Sequence, residues 1–447
     1  DLIPEKFQSK FLETMSERGF IHQCTNYKLL DEQMQSPTSA YLGFDATAPS
    51  LHVGSLMQIM ILRNLQKAGH KPIVLIGGGT TKVGDPSGKD ESRQMITDET
   101  IQNNINSLTK VFSKFLTFGN KSNDAIIVNN SEWLNNIKYL DFLRQYGSYF
   151  TINRMLTMDS VKNRITREQS LTFLEFNYIL LQSYDFIELN KEYNVILQLG
   201  GSDQWGNIVS GVELGRKMRI KSGLYGLTSP LVTTSDGKKM GKTASGAVWL
   251  DKELLSEFEY WQFWRNTADA DVIRFLKLFT DLPMEEIDQY AQCTGSELNA
   301  VKVKLADEAT RMLHGEECLG VIHQTVASLY SNSGSSGGSS SLDSLQHIEL
   351  ELSDFTINNA ATSNTTTTAT TPTSSISIID LLIKVNFVTS KNAAKRLINM
   401  GGVRLNDEKI TDETAELSLD HLNTIGKVKL SSGKKKHIVI VPPSMEL

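Results

Sequence analysis

One histidine of this 447-residue chain stands where it could contact a phosphate group. Tyr41–Phe44 has the pattern of a short buried strand, and His52-Val-Gly-Ser follows at the start of an amphipathic helix over 51–68. A helix N-terminus presents unpaired N–H groups and a partial positive charge, which suits a phosphate. Gly54 would let a flat nucleotide base lie close to the backbone. Alternatively, Pro49-Ser50 simply caps the helix and His52 is a surface residue.

A second candidate site lies far along the chain, in the sequence Lys239-Met-Gly-Lys-Thr243. Two lysines that flank a glycine could swing onto a polyphosphate as mobile cations, although most lysine-rich turns are solvated loops. A Walker P-loop needs a glycine where this chain has Asp236. The segment Gly84–Lys89 also departs from that motif, because Asp90 follows the lysine. The sequence therefore excludes the P-loop ATPases.

Taken together, the two motifs resemble the HIGH and KMSKS signatures of the class I aminoacyl-tRNA synthetases. Three segments between them extend the resemblance, namely Gly84–Gly88, Tyr178–Asp185 and Gln198–Asn207. The whole set is similar to the tyrosyl-tRNA synthetases of the bacterial and organellar type, over residues 1–330 and again from residue 376. One departure is Ser55, which stands where the signature has its second histidine and whose hydroxyl can still bond a ribose oxygen.

The resemblance implies three groups of functional residues. The residues expected to bind tyrosine are Tyr41, Asp85, Tyr178, Gln182, Asp185, Gln198 and Gln204. The residues expected to bind ATP are Gly43, Asp45, Thr47, His52, Gly54, Ser55, Gly201, Asp203 and Lys242. The catalytic contacts to ATP and its leaving pyrophosphate are expected from His52, Thr47, Lys89, Arg93, Lys239, Lys242 and Thr243.

Individual roles also follow from the resemblance. It assigns the phenol hydroxyl of tyrosine to Tyr41 and Asp185, the ammonium to Asp85, Tyr178 and Gln182, the ribose hydroxyls to Asp203, and the carboxylate region to Gln204. ATP is expected as a substrate with Mg²⁺ carried by the nucleotide, and no protein-bound metal is expected. The tyrosine carboxylate would attack the α-phosphorus directly, so catalysis would consist of positioning and electrostatic stabilisation.

The predicted functional residues come from separate segments, so the fold must bring the ends of several strands together. Apolar segments at 41–44, 71–76 and 194–199 alternate with helical stretches, which predicts a parallel sheet with helices on both faces. Ligands bind at the carboxyl ends of such strands. We therefore expect an α/β, Rossmann-like catalytic domain over residues 1–222. Residues 223–330 are predicted to contain the KMSKS-type loop and an all-helical anticodon-side domain.

The last part of the chain has a different composition. Tracts of Ser, Gly and Thr predict a flexible, low-complexity linker over residues 331–375. Residues 376–447 regain globular patterning and resemble a small α+β S4-like RNA-binding domain. Residues 377–447 carry 11 basic and 8 acidic side chains, although the whole chain has a net charge of −6. Salt-dependent phosphate contacts are expected from Lys391, Lys395, Arg396, Arg404, Lys434, Lys435 and Lys436.

Composition limits the class of protein and its compartment. No run of about 18 apolar residues exists, so a membrane-spanning helix is not expected. Three scattered cysteines without metal-ligand spacing favour a reducing compartment. The start without methionine, the bacterial-type resemblance and the Ser/Thr/Asn tracts favour the mitochondrial matrix, with a bacterial-type cytoplasm or another organelle as the alternative.

The expected function is that of a tyrosine–tRNA ligase. L-tyrosine and ATP would give tyrosyl-adenylate and pyrophosphate, and the tyrosine would pass to the 3′ end of tRNA(Tyr); the family also implies a homodimer. A tryptophanyl enzyme is disfavoured because Tyr41 and Asp185 suit a phenol better than an indole. A non-catalytic RNA-binding protein has no use for the lysines of the Lys239–Thr243 motif. A general nucleotidyltransferase leaves the S4-like domain unexplained.

Overall fold

The computed structural model describes residues 2–87, 96–243, 246–330, 347–350, 376–418, 421–422, 427–433 and 436–441. Its helices α1–α18 are, in chain order, Lys10–Arg18, Tyr27–Gln33, Val53–Lys67, Asp98–Phe112, Ser131–Leu134, Tyr139–Gln145, Ile152–Leu156, Asp159–Thr166, Phe173–Phe176, Tyr178–Tyr193, Trp205–Lys217, Glu257–Arg265, Val272–Phe279, Met284–Tyr290, Leu298–His314, Glu317–Tyr330, Ile378–Lys384 and Lys391–Asn399. Its strands β1–β13 are Gln23–Cys24, Ser39–Phe44, Lys71–Ile76, Ile126–Asn129, Val195–Gly201, Tyr225–Ser229, Lys242–Thr243, Gly246–Ala247, His347–Glu349, Val403–Leu405, Glu408–Ile410, Val428–Ser432 and Lys436–Val441.

A six-stranded sheet with the order β1-β6-β5-β2-β3-β4 organises the N-terminal part of the chain. Strands β2–β6 are parallel, and β1 pairs antiparallel with β6 at one edge. The chain builds outward from β2 to β4 and then returns to the other side of β2 to form β5 and β6. This reversal makes the boundary between β2 and β5 the switch point at which doubly wound sheets bind ligands. The predicted α/β class with a parallel sheet is confirmed.

Burial explains why these segments become strands. The sequence KPIVLI of β3 is buried from Pro72 onward, and every residue of β5 is buried, as expected when helices cover both faces of a parallel sheet. Strand β5 also continues through Gly200 and Gly201, two residues beyond the predicted end. Both glycines keep the register with Thr228 and Ser229 of β6, so backbone pairing extends the strand into the glycine-rich segment.

The chain divides into two compact units. The first runs to Gly241 and adds Trp249–Asp251 and Thr267–Leu313; the second contains Lys242–Val248, Lys252–Asn266 and the described residues from His314 onward. Residues 223–330 are thus shared between the units, where the sequence predicted one domain. The predicted domain boundaries remain predictions. Among the described residues, no helix has the length and apolar character to cross a bilayer.

In the second unit, a five-stranded sheet has the order β11-β10-β12-β13-β9. Its core contains buried residues of α17, α18 and the strands, among them Leu381, Ile398 and Leu430. Strand β9 pairs in parallel with β13, and Leu350 just after it is buried in the same core. Strand β9 therefore lies within the interval 331–375 that the sequence predicts to be a linker. The rest of that interval lies outside the described residues.

Candidate active site

A cavity of about 370 Å³ opens at the switch point, where β2 and β5 end. We call it the switch-point cavity. Most of the predicted tyrosine-binding and ATP-binding residues line its wall, namely Tyr41, Gly43, Asp45, Thr47, His52, Gly54, Ser55, Asp85, Tyr178, Gln182, Asp185, Gln198, Gly201, Asp203 and Gln204. Parallel strands bring these separate segments together because their carboxyl ends lie at one edge of the sheet.

Three buried polar atoms in the cavity wall lack a hydrogen-bond partner among the described residues. They are the Tyr41 hydroxyl, Oε1 of Gln198 and Oε1 of Gln58. Tyr41 and Gln198 are neighbours in the β2–β5 pairing, and both are almost completely buried. Burial, together with the nearby charge of Asp185, raises the pKa of Tyr41 well above its usual value, so its hydroxyl stays protonated. Buried polar atoms are normally bonded, so this pair marks a position for polar groups of a ligand.

Asp185 is held by two side chains that the sequence analysis missed. Its carboxylate accepts hydrogen bonds from Nδ2 of Asn130 at 3.0 Å and from Nε1 of Trp133 at 2.8 Å. Burial raises the pKa of Asp185 to about 7, and the two hydrogen bonds limit that rise. Asn130 directly follows β4, so its place at a strand end is a signal that could have revealed it. Trp133, within the short helix α5, carries no such signal.

A second carboxylate, Asp45, links elements from three parts of the chain. Its oxygens accept from the Tyr178 hydroxyl at 2.8 Å and from the Thr80 hydroxyl at 2.8 Å. Burial raises the pKa of Tyr178 well above its usual value, and the negative charges of Asp45 and Asp85 add to the effect. A Cβ on Gly77 would collide with Oδ1 of Asp45, so a larger residue there would displace that carboxylate. Tyr178, predicted to bind tyrosine, thus donates a hydrogen bond to Asp45, predicted to bind ATP.

Asp85 is the centre of a network of amide side chains. It accepts from Nε2 of Gln204 at 2.7 Å and from the backbone N–H of Ser87 at 2.9 Å. Nε2 of Gln182 donates to Oε1 of Gln204 at 3.4 Å. A further amide, Asn207 of α11, contacts this network and was assigned no role by the sequence analysis. The three predicted residues therefore form one bonded group.

His52 caps α3 in a defined orientation. Its Nδ1 accepts from the backbone N–H of Gly54 at 3.0 Å, so a neutral ring carries its proton on Nε2 and can donate there. Met240 and Gly241, in the middle of the Lys239–Thr243 motif, pack against this turn. A Cβ on Gly241, whose φ is +114°, would lie 2.6 Å from Nδ1 of His52, and one on Gly54 would lie 2.9 Å from the Met240 carbonyl oxygen. Only glycine permits this approach.

The predicted cations differ in where they lie. Lys239 is exposed and is not among the residues that line the cavity. Lys242 and Thr243 form β7 in the second unit, and Lys89 and Arg93 lie outside the described residues. Within the described parts of the chain, no three His, Cys, Asp or Glu side chains are grouped to hold a metal ion.

The chain is similar to known proteins over nearly its full length. The family model "tRNA synthetases class I (W and Y)" matches residues 33–331, and that of the "Tyrosine--tRNA ligase SYY-like C-terminal domain" matches residues 357–440. The tyrosine--tRNA ligase of Zymomonas mobilis is 51% identical over 97% of this chain and 99% of its own, and that of Xanthobacter autotrophicus is 51% identical over 98% and 99%. A C-terminally truncated mitochondrial tyrosyl-tRNA synthetase of Aspergillus nidulans superposes with a TM-score of 0.65 at 31% identity, covering 73% of this chain and 95% of that one.

The chain therefore belongs to the class I tRNA synthetases of the tryptophan and tyrosine group. Similarity to tyrosine enzymes over nearly the full length places it, within that group, among the tyrosine–tRNA ligases. Its substrates are L-tyrosine, ATP and tRNA. The alternatives of a tryptophan enzyme, a general nucleotidyltransferase and a protein that only binds RNA are not supported.

The raised pKa of Asp185 predicts a pH-dependent stability. The unfolded chain loses this proton near the ordinary pKa of 3.8, whereas the folded protein keeps it until about pH 7. Between these values the unfolded state binds fewer protons, so Asp185 makes the free energy of unfolding fall as the pH rises, by up to about 1.4 kcal/mol per pH unit. Urea unfolding of wild type and Asp185→Asn measures this contribution. The stability of wild type relative to the variant should fall between about pH 4 and pH 7; a constant difference would contradict the prediction.

Proposed function

We propose that Tyr41 and Asp185 bind the phenol hydroxyl of substrate tyrosine at the switch-point cavity. The observation that carries the proposal is the buried Tyr41 hydroxyl, which has no hydrogen-bond partner in the described parts of the chain and lies near the buried carboxylate of Asp185. A phenol can donate to Asp185 and accept from Tyr41, whereas the ring of phenylalanine would leave both groups without that bond. Each unsatisfied buried group costs about 1–3 kcal/mol, and this difference favours tyrosine.

The ammonium end of tyrosine is assigned to Asp85, Tyr178 and Gln182. Asp85 supplies a negative charge, and the two neutral oxygens supply directed acceptors. The rest of the amino-acid backbone is assigned to Gln204 and Gln198. Gln204 donates to Asp85 at 2.7 Å, and Oε1 of Gln198 has no hydrogen-bond partner among the described residues. The connected hydrogen bonds of this group support the assignment, because they hold the acceptors in place before the substrate arrives.

ATP is assigned to the other side of the cavity, around the capped start of α3. Nε2 of His52 is assigned as a donor to phosphate oxygens, and the α3 N-terminus adds its partial positive charge. The remaining contacts are assigned to Gly43, Asp45, Thr47, Gly54, Ser55, Gly201 and Asp203, with Asp203 on the ribose. Mg²⁺ carried by the nucleotide would neutralise part of the triphosphate charge.

The reaction needs no protein nucleophile. The carboxylate oxygen of tyrosine forms a bond to the α-phosphorus while the bond to the bridging oxygen of pyrophosphate breaks. His52, Thr47 and the lysines of the Lys239–Thr243 motif are assigned to the charge that develops on the phosphates, together with Lys89 and Arg93. A ribose hydroxyl at the 3′ end of tRNA(Tyr) then attacks the tyrosyl carbonyl and releases AMP.

Exchange of pyrophosphate into ATP, without tRNA, tests the adenylation step. Tyrosine should support exchange, whereas phenylalanine and tryptophan should not. Lys242→Ala should lower the single-turnover rate of adenylate formation by about 10²–10³-fold with little change in tyrosine affinity, because the lost cation acts on the transition state.

The matched control is Lys238→Ala, an exposed lysine of the same loop paired with Asp236 at 3.0 Å. It should leave the rate unchanged. An unaltered rate in Lys242→Ala would refute the role of that lysine, and exchange with tryptophan instead of tyrosine would refute the assignment of Tyr41 and Asp185.

The second unit is proposed to bind tRNA through its cationic side chains. Lys391 pairs with Asp380 at 3.0 Å, Lys395 pairs with Glu413 at 3.5 Å, and Lys436 donates to the Phe387 carbonyl oxygen at 2.8 Å. Arg396 and Arg404 are exposed and make no ion pair with the described residues. The two arginines are therefore the better candidates for phosphate contacts, because they need not break an ion pair within the described residues before they bind a phosphate. Lys434 and Lys435 lie outside the described residues.

Substitutions on α18 can distinguish the contribution of an arginine from that of a lysine in an ion pair. Arg396→Ala should lower the slope of log affinity for tRNA(Tyr) against log salt by about 0.9, the value for one phosphate contact. Lys395→Ala makes the same change of charge on the same helix, but should lower the slope less because Lys395 must first leave Glu413. Filter binding over a series of salt concentrations measures both slopes, and equal slopes for wild type and Arg396→Ala would contradict the contact.

A homodimer through helices α6–α9 is also proposed. These helices expose large apolar side chains, including Leu140 at 76%, Phe173 at 69% and Ile152 at 59% of their surface. Apolar exposure of this extent is typical of a protein interface. Sedimentation should give the mass of two chains for wild type, and a shift toward one chain for Phe173→Glu. A wild-type mass of about 50 kDa, that of one chain, would contradict the dimer.

For the compartment, we propose the mitochondrial matrix, with a bacterial-type cytoplasm as the alternative. The likeness to the Aspergillus nidulans mitochondrial enzyme supports the first, and the greater identity to two bacterial enzymes favours the second. Fractionation of source cells with an antibody to the chain distinguishes them.

A further inference from the structure

We propose that Asn207 is a positioning residue for the ammonium end of tyrosine. It does not line the switch-point cavity and acts through Gln182 and Gln204, which do. The inference rests on the proposed assignment of the ammonium to Asp85 and Gln182.

Asn207 projects from the first turn of α11 into the amide network, with 3% of its surface exposed. Its Nδ2 lies 3.0 Å from Oε1 of Gln182 and 3.2 Å from Oε1 of Gln204. The same nitrogen lies 3.2 Å from the Ser87 hydroxyl oxygen and 3.4 Å from Oδ1 of Asp85. One buried NH₂ group thus stands among four oxygen atoms, including both glutamine carbonyls.

Hydrogen-bond chemistry fixes the orientation of these amides. A carboxylate only accepts, so Gln204 must direct its NH₂ group to Asp85, as the 2.7 Å contact requires. The carbonyl oxygen of Gln204 then faces Asn207 and Nε2 of Gln182. Nδ2 of Asn207 donates to the carbonyl oxygen of Gln182 and so determines which end of that amide carries the oxygen.

This orientation is what an ammonium group needs. A carbonyl oxygen has two lone pairs, so Gln182 can accept from Asn207 and from the substrate together. Without Asn207 the Gln182 amide can turn over and present its NH₂ group, a donor, to a cation that has only donors. Asn207 would thereby select the acceptor form of the pocket before tyrosine binds.

Two substitutions test the role. Asn207→Leu keeps the branching of the side chain and removes the donor, and should raise the dissociation constant for tyrosine about 10–100-fold, as expected for a hydrogen bond to a charged site. Asn207→Ala should have a smaller effect, because a second cavity lined by Asn207, Ser87 and Ser202 lets a water take the place of the amide. A role in packing alone would give the opposite order, since alanine leaves the larger void.

The ligand that separates the outcomes is 3-(4-hydroxyphenyl)propionate, which has the phenol and carboxylate of tyrosine but no ammonium. Asn207→Leu should weaken tyrosine binding and leave the affinity for this analogue nearly unchanged, and the KM for ATP should not move. The matched control is Ser210→Ala on the same helix, whose hydroxyl donates only to the Gly206 carbonyl oxygen at 2.9 Å. It should change neither ligand's affinity, and thermal unfolding shows which variants are folded.

The outcomes distinguish the inference from its premise. If wild type binds tyrosine and the analogue equally well, the ammonium site itself is wrongly assigned. If wild type prefers tyrosine but folded Asn207→Leu and Asn207→Ala lose affinity equally for both ligands, or for neither, the positioning role is overturned.

Discussion

The parallel pairing of β2 with β5 is the constraint on which the site depends. It sets Tyr41 opposite Gln198 at the switch point, where the backbone of both strands is already bonded to neighbours on each side. Among the described residues, the Tyr41 hydroxyl and the Gln198 carbonyl oxygen have no hydrogen-bond partner. Each such group costs about 1–3 kcal/mol in the free protein. In the proposed complex the substrate would supply the missing bonds, so this cost would become affinity for tyrosine.

Three of the carboxylates in the cavity wall illustrate how the fold prepares a charged site. Asp45 and Asp185 each accept from two donors in other segments of the chain. Asp85 accepts from Gln204 and from the backbone N–H of Ser87. These donors keep the carboxylates oriented before a substrate binds, which lowers the reorganisation that binding and catalysis require. Desolvation works against ionisation, and at Asp185 it is strong enough to bring the pKa to about 7. Burial at this site therefore opposes the negative charge of the carboxylates, whereas the hydrogen bonds that they accept favour it.

The site also depends on a close approach of two backbone segments, at Gly54 and at Gly241. Gly54 and Gly241 belong to motifs almost two hundred residues apart, yet a Cβ on either one would collide with His52 or its neighbours. The contact brings the backbone of the lysine-containing motif against the capped start of α3, next to the proposed phosphate site. Glycine at both positions is therefore a packing requirement of the folded protein as well as a feature of the motifs.

The sequence by itself determined the α/β class and, through the family resemblance of its motifs, 15 of the 29 residues that line the cavity. Strands, glycine-rich turns and the two signature motifs are local patterns, and parallel strands bring their ends together without further information. Tertiary structure alone decided which groups hold those side chains: Asn130 and Trp133 on Asp185, Thr80 on Asp45, and Asn207 on the glutamines. It also decided that residues 347–349 join a sheet within a segment whose surrounding composition indicates a linker. A hydrogen bond or a strand pairing depends on distance in the folded chain, and residues 25 to 55 positions apart carry no local pattern that encodes it.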